Sequence, residues 1–573
     1  MSIDASRSER PAGPSRAPAL ESALAVFFDW YYRTYPVNAT FIGVHEHDHR
    51  LPDFSEHGAG DALAALEALR ARFRDLPPEP ASDAERLDRT LAEGCLDIQR
   101  WEFGSRHFHQ GNPCMYTGEA IFGVLSLFLR PFAPPETRAE AAVERMMAIP
   151  ALLAQGRTNM RRAPGEWTAR AIRECTGALA FLGRGVEILI RDEKITHPRL
   201  LAAAATAAAA FREFQEYLKV DLTANATHDY ACGDEALDLL IDRGHFLGVD
   251  AAAVLAFGRE HVASAESSLR ETAARLGITD WREGLTRLAG FAPPAGAYYA
   301  RYMEVWREAR AAAETHALVT WPDYPIRYVP QPSWAREAAP HLYFLFYRAP
   351  AAFDRVPVVD YLVTPVEPDM PPEEQARRLR ATNESVIKLN HVIHHGGLGH
   401  HVQNWNASHR AASRVGRIAA VDCASRIALF CGGTMAEGWA CYATDLMEEI
   451  GFLTPLECFS QAHTRLRMAA RAVADVQLHT GMWTLEETAS FYRERGGLSP
   501  EAAHAEAVKN SMFPGAALMY LTGTQAIHDL RRDLSGRPGF ALRAFHDRFL
   551  SYGSVPVPLI ASAMRADGPA TRP

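Results

Sequence analysis

A mostly α-helical chain with a small β-containing insert is the fold class the sequence predicts, on three observations. Apolar residues recur at three- and four-residue spacing through most of the 573 residues. The stretch 318–366 breaks that rhythm with Pro, Tyr and Val. No fixed-period repeat runs through the chain, which argues against a solenoid. The length exceeds what one simple core holds and suits one large helical domain or two to three fused lobes.

Residues 1–18 are polar and rich in Ser, Pro and Arg, and read as a disordered tail without the apolar core of a secretory signal. An N-terminal helical half follows over 19–315. Its periodicity predicts helices at 61–73, 84–101, 138–148, 168–190, 198–222, 235–246 and 250–276, with Pro/Gly loops at 76–80 and 291–296. The insert covers 316–370. Runs of β-branched and aromatic residues at 341–347 and 361–363 predict a sheet of two to four strands. A C-terminal helical half over 371–566 carries helices at 372–394, 434–450, 455–477, 485–493, 516–530 and 540–550. A strand beside such a helix is a useful arrangement, because an extended substrate can add to the sheet edge.

Composition excludes several classes. The net charge is −9 and no Lys/Arg cluster interleaves with aromatics, so nucleic acid is not an expected partner. The eight cysteines include no CxxC pair, so a zinc ribbon and a thioredoxin-type redox pair are both excluded, and reduced, buried thiols are expected. The longest apolar run, 200–211, is mostly Ala and too short for a bilayer, so no membrane contact is expected and the cytoplasm is the expected compartment. Arg531, Arg532, Arg537 and Arg543, like Arg161 and Arg162, read as solvated helix faces, though either group has the chemistry to clamp a substrate carboxylate. Nothing sets an oligomeric state.

Chemistry concentrates in one segment. Five of the eleven residues from His391 to His401 are His. Imidazole is the commonest protein metal ligand at neutral pH and suits Zn, Fe, Cu and Ni. His391 and His394 are three apart and would share a face of an α-helix. Gly396, Gly397 and Gly399 follow, each costing roughly 1 kcal/mol relative to Ala in a helix interior. A bend at these glycines would swing His400 back towards His394. In an unbroken helix the two would stand about 9 Å apart along the axis, too far to share an ion. Downstream, Glu437 lies near the start of an apparent helix after Cys431-Gly-Gly. A lone carboxylate there is ordinarily a partner of the helix dipole. It is also the best candidate for a third ligand, since two His and one carboxylate leave an open coordination position. Glu448 and Glu449 are the alternatives.

These residues resemble the DUF885 group of bacterial helical proteins, which in turn resemble gluzincin-type zinc metallopeptidases. The group's central motif, HExxPGHHxQ followed by EGWAxY, is similar to His394-His-Gly-Gly-Leu-Gly-His-His-Val-Gln403 and Glu437-Gly-Trp-Ala-Cys-Tyr442. The likeness extends along nearly the whole chain. It includes Asn112-Pro-Cys-Met-Tyr116, Arg145 to Pro150 with Arg157-Thr-Asn159, and Asp229-Tyr-Ala-Cys-Gly233 with Glu235. It continues through Arg471, Asp475, His479 and Trp483, then Pro514-Gly515 with Tyr520 and Gly523, and closes with Phe545-His546-Asp547. The resemblance implies a large multi-helix metallopeptidase-like fold and metal ligation by His394, His400 and Glu437. His391 and His401 are expected to support those ligands. By the same analogy Tyr520 and His479 would donate to a developing oxyanion.

One departure matters. The family's Glu, which takes a proton from water in such enzymes, is His395 here, and Leu398 replaces a Pro. His395 can serve as base, join the metal as an extra ligand, or mark the loss of peptidase chemistry. The resemblance therefore implies a metal-dependent hydrolase, with zinc as the expected cofactor and a peptide or small amide as substrate. Non-haem iron in a redox or lyase enzyme is the alternative, and a non-catalytic ligand-binding protein is a further one.

Overall fold

The computed structural model describes residues 18–77, 82–342, 350–354, 356–419 and 432–566. Within them the chain is mostly helical, with two small parallel two-stranded sheets. The tail expected over 1–18 lies outside the described residues except for Pro18, which opens the helix Pro18–Thr34. Helix starts follow from side-chain chemistry. Ser55, Ser82 and Asp250 accept hydrogen bonds from first-turn amides, and Thr454 and Thr484 complete capping boxes with Glu457 and Glu487. Pro stands in the first turn of Pro113–Leu125, Pro135–Asn159 and Pro500–Met512, where its missing N–H costs nothing.

In the N-terminal half, Pro135–Asn159 packs between Pro113–Leu125 and Leu200–Tyr217. Arg145 is fully buried and donates to the carbonyls of Arg50, Gly123 and Pro36 and to the Thr40 hydroxyl. Tyr116 donates to the His109 carbonyl and accepts from Asn159. These motif residues serve packing. The helices expected over 168–190, 198–222 and 235–246 each contain a π turn, at Phe181–Gly185, Leu218–Leu222 and Leu240–Gly244. A one-residue change of winding leaves hydrophobic spacing almost intact, so periodicity does not reveal it.

Among its described residues the insert holds two strands. Ile326–Pro330 pairs in parallel with Val359–Val363, Ile326 opposite Val359. Tyr328 and Tyr361 point inward from this pair. The run expected at 361–363 is the end of the second strand. The run at 341–347 falls mostly outside the described residues, and His341 closes the short turn Ala339–His341. The other sheet, Ala163–Pro164 beside Ala226–Thr227, is too short to leave a period-2 signal.

The helix expected over 372–394 is in fact two, Pro372–Ala381 and the π-wound Val386–Gly396. Asn383 separates them, its side-chain oxygen accepting from the amides of Ser385 and Val386. Further on, Gly433–Glu449 crosses Met519–Ser535 at backbone contact. A Cβ on Gly438 would stand 2.6 Å from the Gly523 carbonyl carbon, so only glycines let the helices approach this closely. That crossing fixes Glu437, the neighbour of Gly438. Ala251–Arg275 runs along Pro455–His479 and backs the same region. Among the described residues no helix is long and apolar enough to cross a membrane.

Candidate metal centre

The glycine segment turns the chain sharply between Val386–Gly396 and His400–Arg410. Gly399 has φ −73° and ψ −116°, and its amide reaches back to the Ile393 carbonyl at 2.9 Å. A Cβ at Gly399 would lie 2.0 Å from the His394 carbonyl oxygen, so no other residue fits there. Two tryptophans hold the turn from outside. Trp306 donates to the Gly396 carbonyl at 2.9 Å, and Trp439, two residues past Glu437, donates to that of Leu398 at 2.9 Å. The turn and the carboxylate helix are thereby fastened together.

The result is a cluster. The rings of His394 and His400 stand 4.8 Å apart, and ligand atoms of His394, His395 and His400 all lie within 4.8 Å of one another. Glu437 Oε2 is 3.2 Å from His394 Nε2 and 3.5 Å from His400 Nε2. Two ligands held at roughly 2.0–2.1 Å from one tetrahedral ion stand about 3.3 Å apart. The spacing therefore fits a shared cation. Glu437 Oε2 is buried and receives no hydrogen bond, although two imidazole nitrogens face it. Burial opposes charge on Glu437, but His400 and His394 outweigh it and hold the carboxyl well below its usual range. Burial pushes His394 downward, and burial together with its two neighbours pushes His395 well down. Imidazole nitrogens around a carboxylate are a set of donor atoms suited to a cation.

His395 is oriented. Its Nδ1 donates to the Asn390 carbonyl at 2.7 Å, which places the ring hydrogen there and the lone pair on Nε2.

His391, His401 and His479, also expected at the site, have partners outside the cluster. His391 does not share a face with His394, because i→i+5 winding turns each residue through less than the roughly 100° of an α-helix. Its Nδ1 lies 2.5 Å from the Tyr361 hydroxyl, its ring packs on Tyr302, and burial lowers its pKa to about 4. His401 stacks on Tyr324 and bonds that residue's carbonyl at 2.8 Å, facing away from His400. His479 is fully buried beside His107 and bonds the Asn510 carbonyl at 3.0 Å, in the core rather than with the cluster. Glu448 and Glu449 pair with Arg465 and Arg531. Tyr520 lies under the Arg471 guanidinium, 4.7 Å from it.

Arg471 opens onto a group that motif reading does not find. Arg471 bonds Glu506 at 2.6 Å, and Lys509 lies 3.7 Å from the same carboxylate. Arg467, one turn before Arg471, joins them. The legible signal was like charge at i,i+4 in Arg467 and Arg471, an arrangement that costs an isolated helix a few tenths of a kcal/mol and needs a reason.

Motif pieces distant in sequence also bond one another. His546 sits 2.9 Å from the Tyr442 hydroxyl, and Asp475 accepts from the amides of Gly515 and Leu518. The family described as "Bacterial protein of unknown function (DUF885)" matches residues 36–564, and the chain belongs to it. Two solved structures share the fold. One, from Shewanella oneidensis and described as "a putative lipoprotein of unknown function", is 21% identical with a TM-score of 0.76, covering 96% of this chain and 100% of its own. The other, described as "the putative lipoprotein from Colwellia psychrerythraea", is 17% identical with a TM-score of 0.75, covering 96% of this chain and 98% of its own. Comparison with curated proteins gives no match.

Proposed function

We propose that the protein is a metal-dependent hydrolase acting on a peptide or small amide, with zinc held by His394, His400 and Glu437. The observation that carries this reading is the buried Glu437 Oε2, which takes no hydrogen bond while two imidazole Nε2 atoms stand 3.2 and 3.5 Å away. A bound dication would polarise the substrate carbonyl and make water a better nucleophile. The chain's own part is to hold the donors with two tryptophan-braced segments and to offer a proton acceptor. His395 Nε2 carries the lone pair for that role, since Nδ1 is committed to Asn390. Tyr520, set beside Arg471, is the candidate donor to the substrate oxygen.

A second reading is favoured by one observation. His395 lies within the donor cluster, and three imidazoles with one carboxylate suit iron as well as zinc. Redox chemistry has no need of a carboxylate base at 395. Elemental analysis of protein purified without air, with turnover against a peptide panel, separates the two. Stoichiometric zinc and hydrolysis that disappears in His394→Ala are expected. Hydrolysis that persists without bound metal removes the first reading, and iron with oxygen uptake replaces it by the second.

A further inference from the structure

The cationic group near the cluster has three positive side chains and one carboxylate, Glu506, in ion-pair distance. Arg471 and Lys509 share one carboxylate, Glu506, and Arg467 stands one helical turn before Arg471. The side chains of Arg471, Glu506 and Lys509 are only 11%, 14% and 17% exposed, so water screens them poorly. Arg467 is half-buried, and among the described residues no carboxylate lies within ion-pair distance of it. Burying charge in excess is costly unless a counter-charge arrives. The group is also within electrostatic reach of the centre. Arg471 acts electrostatically on His394, and Lys509 feels Glu437. Tyr520 lies against the same guanidinium.

We propose that this group is the substrate's anchor: an oxyanion on the substrate, a carboxylate or a phosphate, seats on Arg467 between Arg471 and Lys509, and sets the neighbouring bond over the centre. Guanidinium forks bind both oxyanions in two-point fashion, and Lys adds a point charge. The anchor explains why like charges share one helix face: the anion they lack comes with the substrate. This assignment rests on the hydrolase reading for what happens to the anchored molecule, but not for the binding itself.

The test is therefore a binding measurement without turnover. Three fluorescein-labelled tri-alanine peptides, a free C-terminal acid, its C-terminal amide and an amide carrying one phosphoserine, are titrated by anisotropy against the full chain, metal-loaded and metal-stripped. The acid or the phosphorylated peptide should bind about tenfold more tightly than the plain amide, as expected for charge-assisted pairing, and which of them does so names the anion's source. In Arg467→Met the preference should shrink to about twofold or less, and in Arg467→Lys a part of it should remain. Lys509→Met supplies an independent variant, and circular dichroism melting establishes that each is folded. Equal binding of all three peptides, or a full preference in folded Arg467→Met and Lys509→Met, overturns the anchor. If the hydrolase reading fails instead, the metal-stripped chain still shows the preference.

Discussion

Two sets of poorly exposed histidines in this molecule do opposite things. His394, His395 and His400 converge with Glu437 within a few ångströms. His107, His245 and His479 are as deeply placed, yet each is tied by Nε2 to a backbone carbonyl, of Tyr230, Gly515 and Asn510 respectively. Burial pushes the latter three down to about 4, about 4 and about 3. Burial lowers His394 and His395 as well, so depressed basicity does not separate the two sets. The distinction is where the lone pairs go: singly into packed helices, or together towards a carboxylate oxygen that takes no hydrogen bond.

The strongest way to break that contrast is to undo the turn. Gly399→Ala would press a Cβ into the His394 carbonyl oxygen, 2.0 Å away as built, and should cost about 3 kcal/mol or more by forcing the two helices apart. Urea melts read the loss, and metal titration should show at least about tenfold weaker binding, which corresponds to about 1.4 kcal/mol. Unchanged metal affinity in this variant would mean that the turn does not hold the donors.

A smaller effect is expected on the other side of the comparison. His479→Leu leaves the Asn510 carbonyl without its donor and should cost about 1–3 kcal/mol, with metal content unaltered. Loss of metal in a folded His479→Leu protein would merge the two sets and refute the division.

A histidine outside both sets sharpens the contrast from another direction. His45 lies between two carboxylates, Nδ1 at 2.7 Å from Asp48 and Nε2 at 2.8 Å from Asp354. Burial works against its charge, but the two hydrogen-bonded carboxylates win and raise its pKa to about 9. The folded value lies above the ordinary 6.5, so its stabilisation is complete below pH 6.5 and disappears as pH rises through about 9. After allowance for solvent at the ring, this is on the order of 2 kcal/mol. Comparing urea midpoints of wild type and His45→Gln at pH 6 and pH 9.5 checks it. The difference between the two proteins should be larger at pH 6, and an equal difference at both values would show that His45 carries no proton in the fold.

Much of the centre was legible in the sequence because its elements are local. The density of His, the glycines at 396, 397 and 399, and the Glu437-Gly-Trp439 start of a helix are all properties of short segments. The chemistry of imidazole and carboxylate, and the steric permission of glycine, need no fold to be stated. The helical class was equally readable, since apolar spacing records which faces are buried.

Tertiary structure decided what spacing cannot carry. The π winding of Val386–Gly396 separated His391 from His394 by an amount no α-helical count predicts. The choice of His400 over His401 at the cluster followed from which way the turn leaves Gly399, and His401 was left to Tyr324. The removal of His479 from the cluster and the gathering of Arg467, Arg471 and Lys509 depended on how helices far apart in sequence pack. Local composition fixes which side chains are able to do chemistry, whereas the meeting of groups from different helices is a long-range packing outcome that only the assembled core determines.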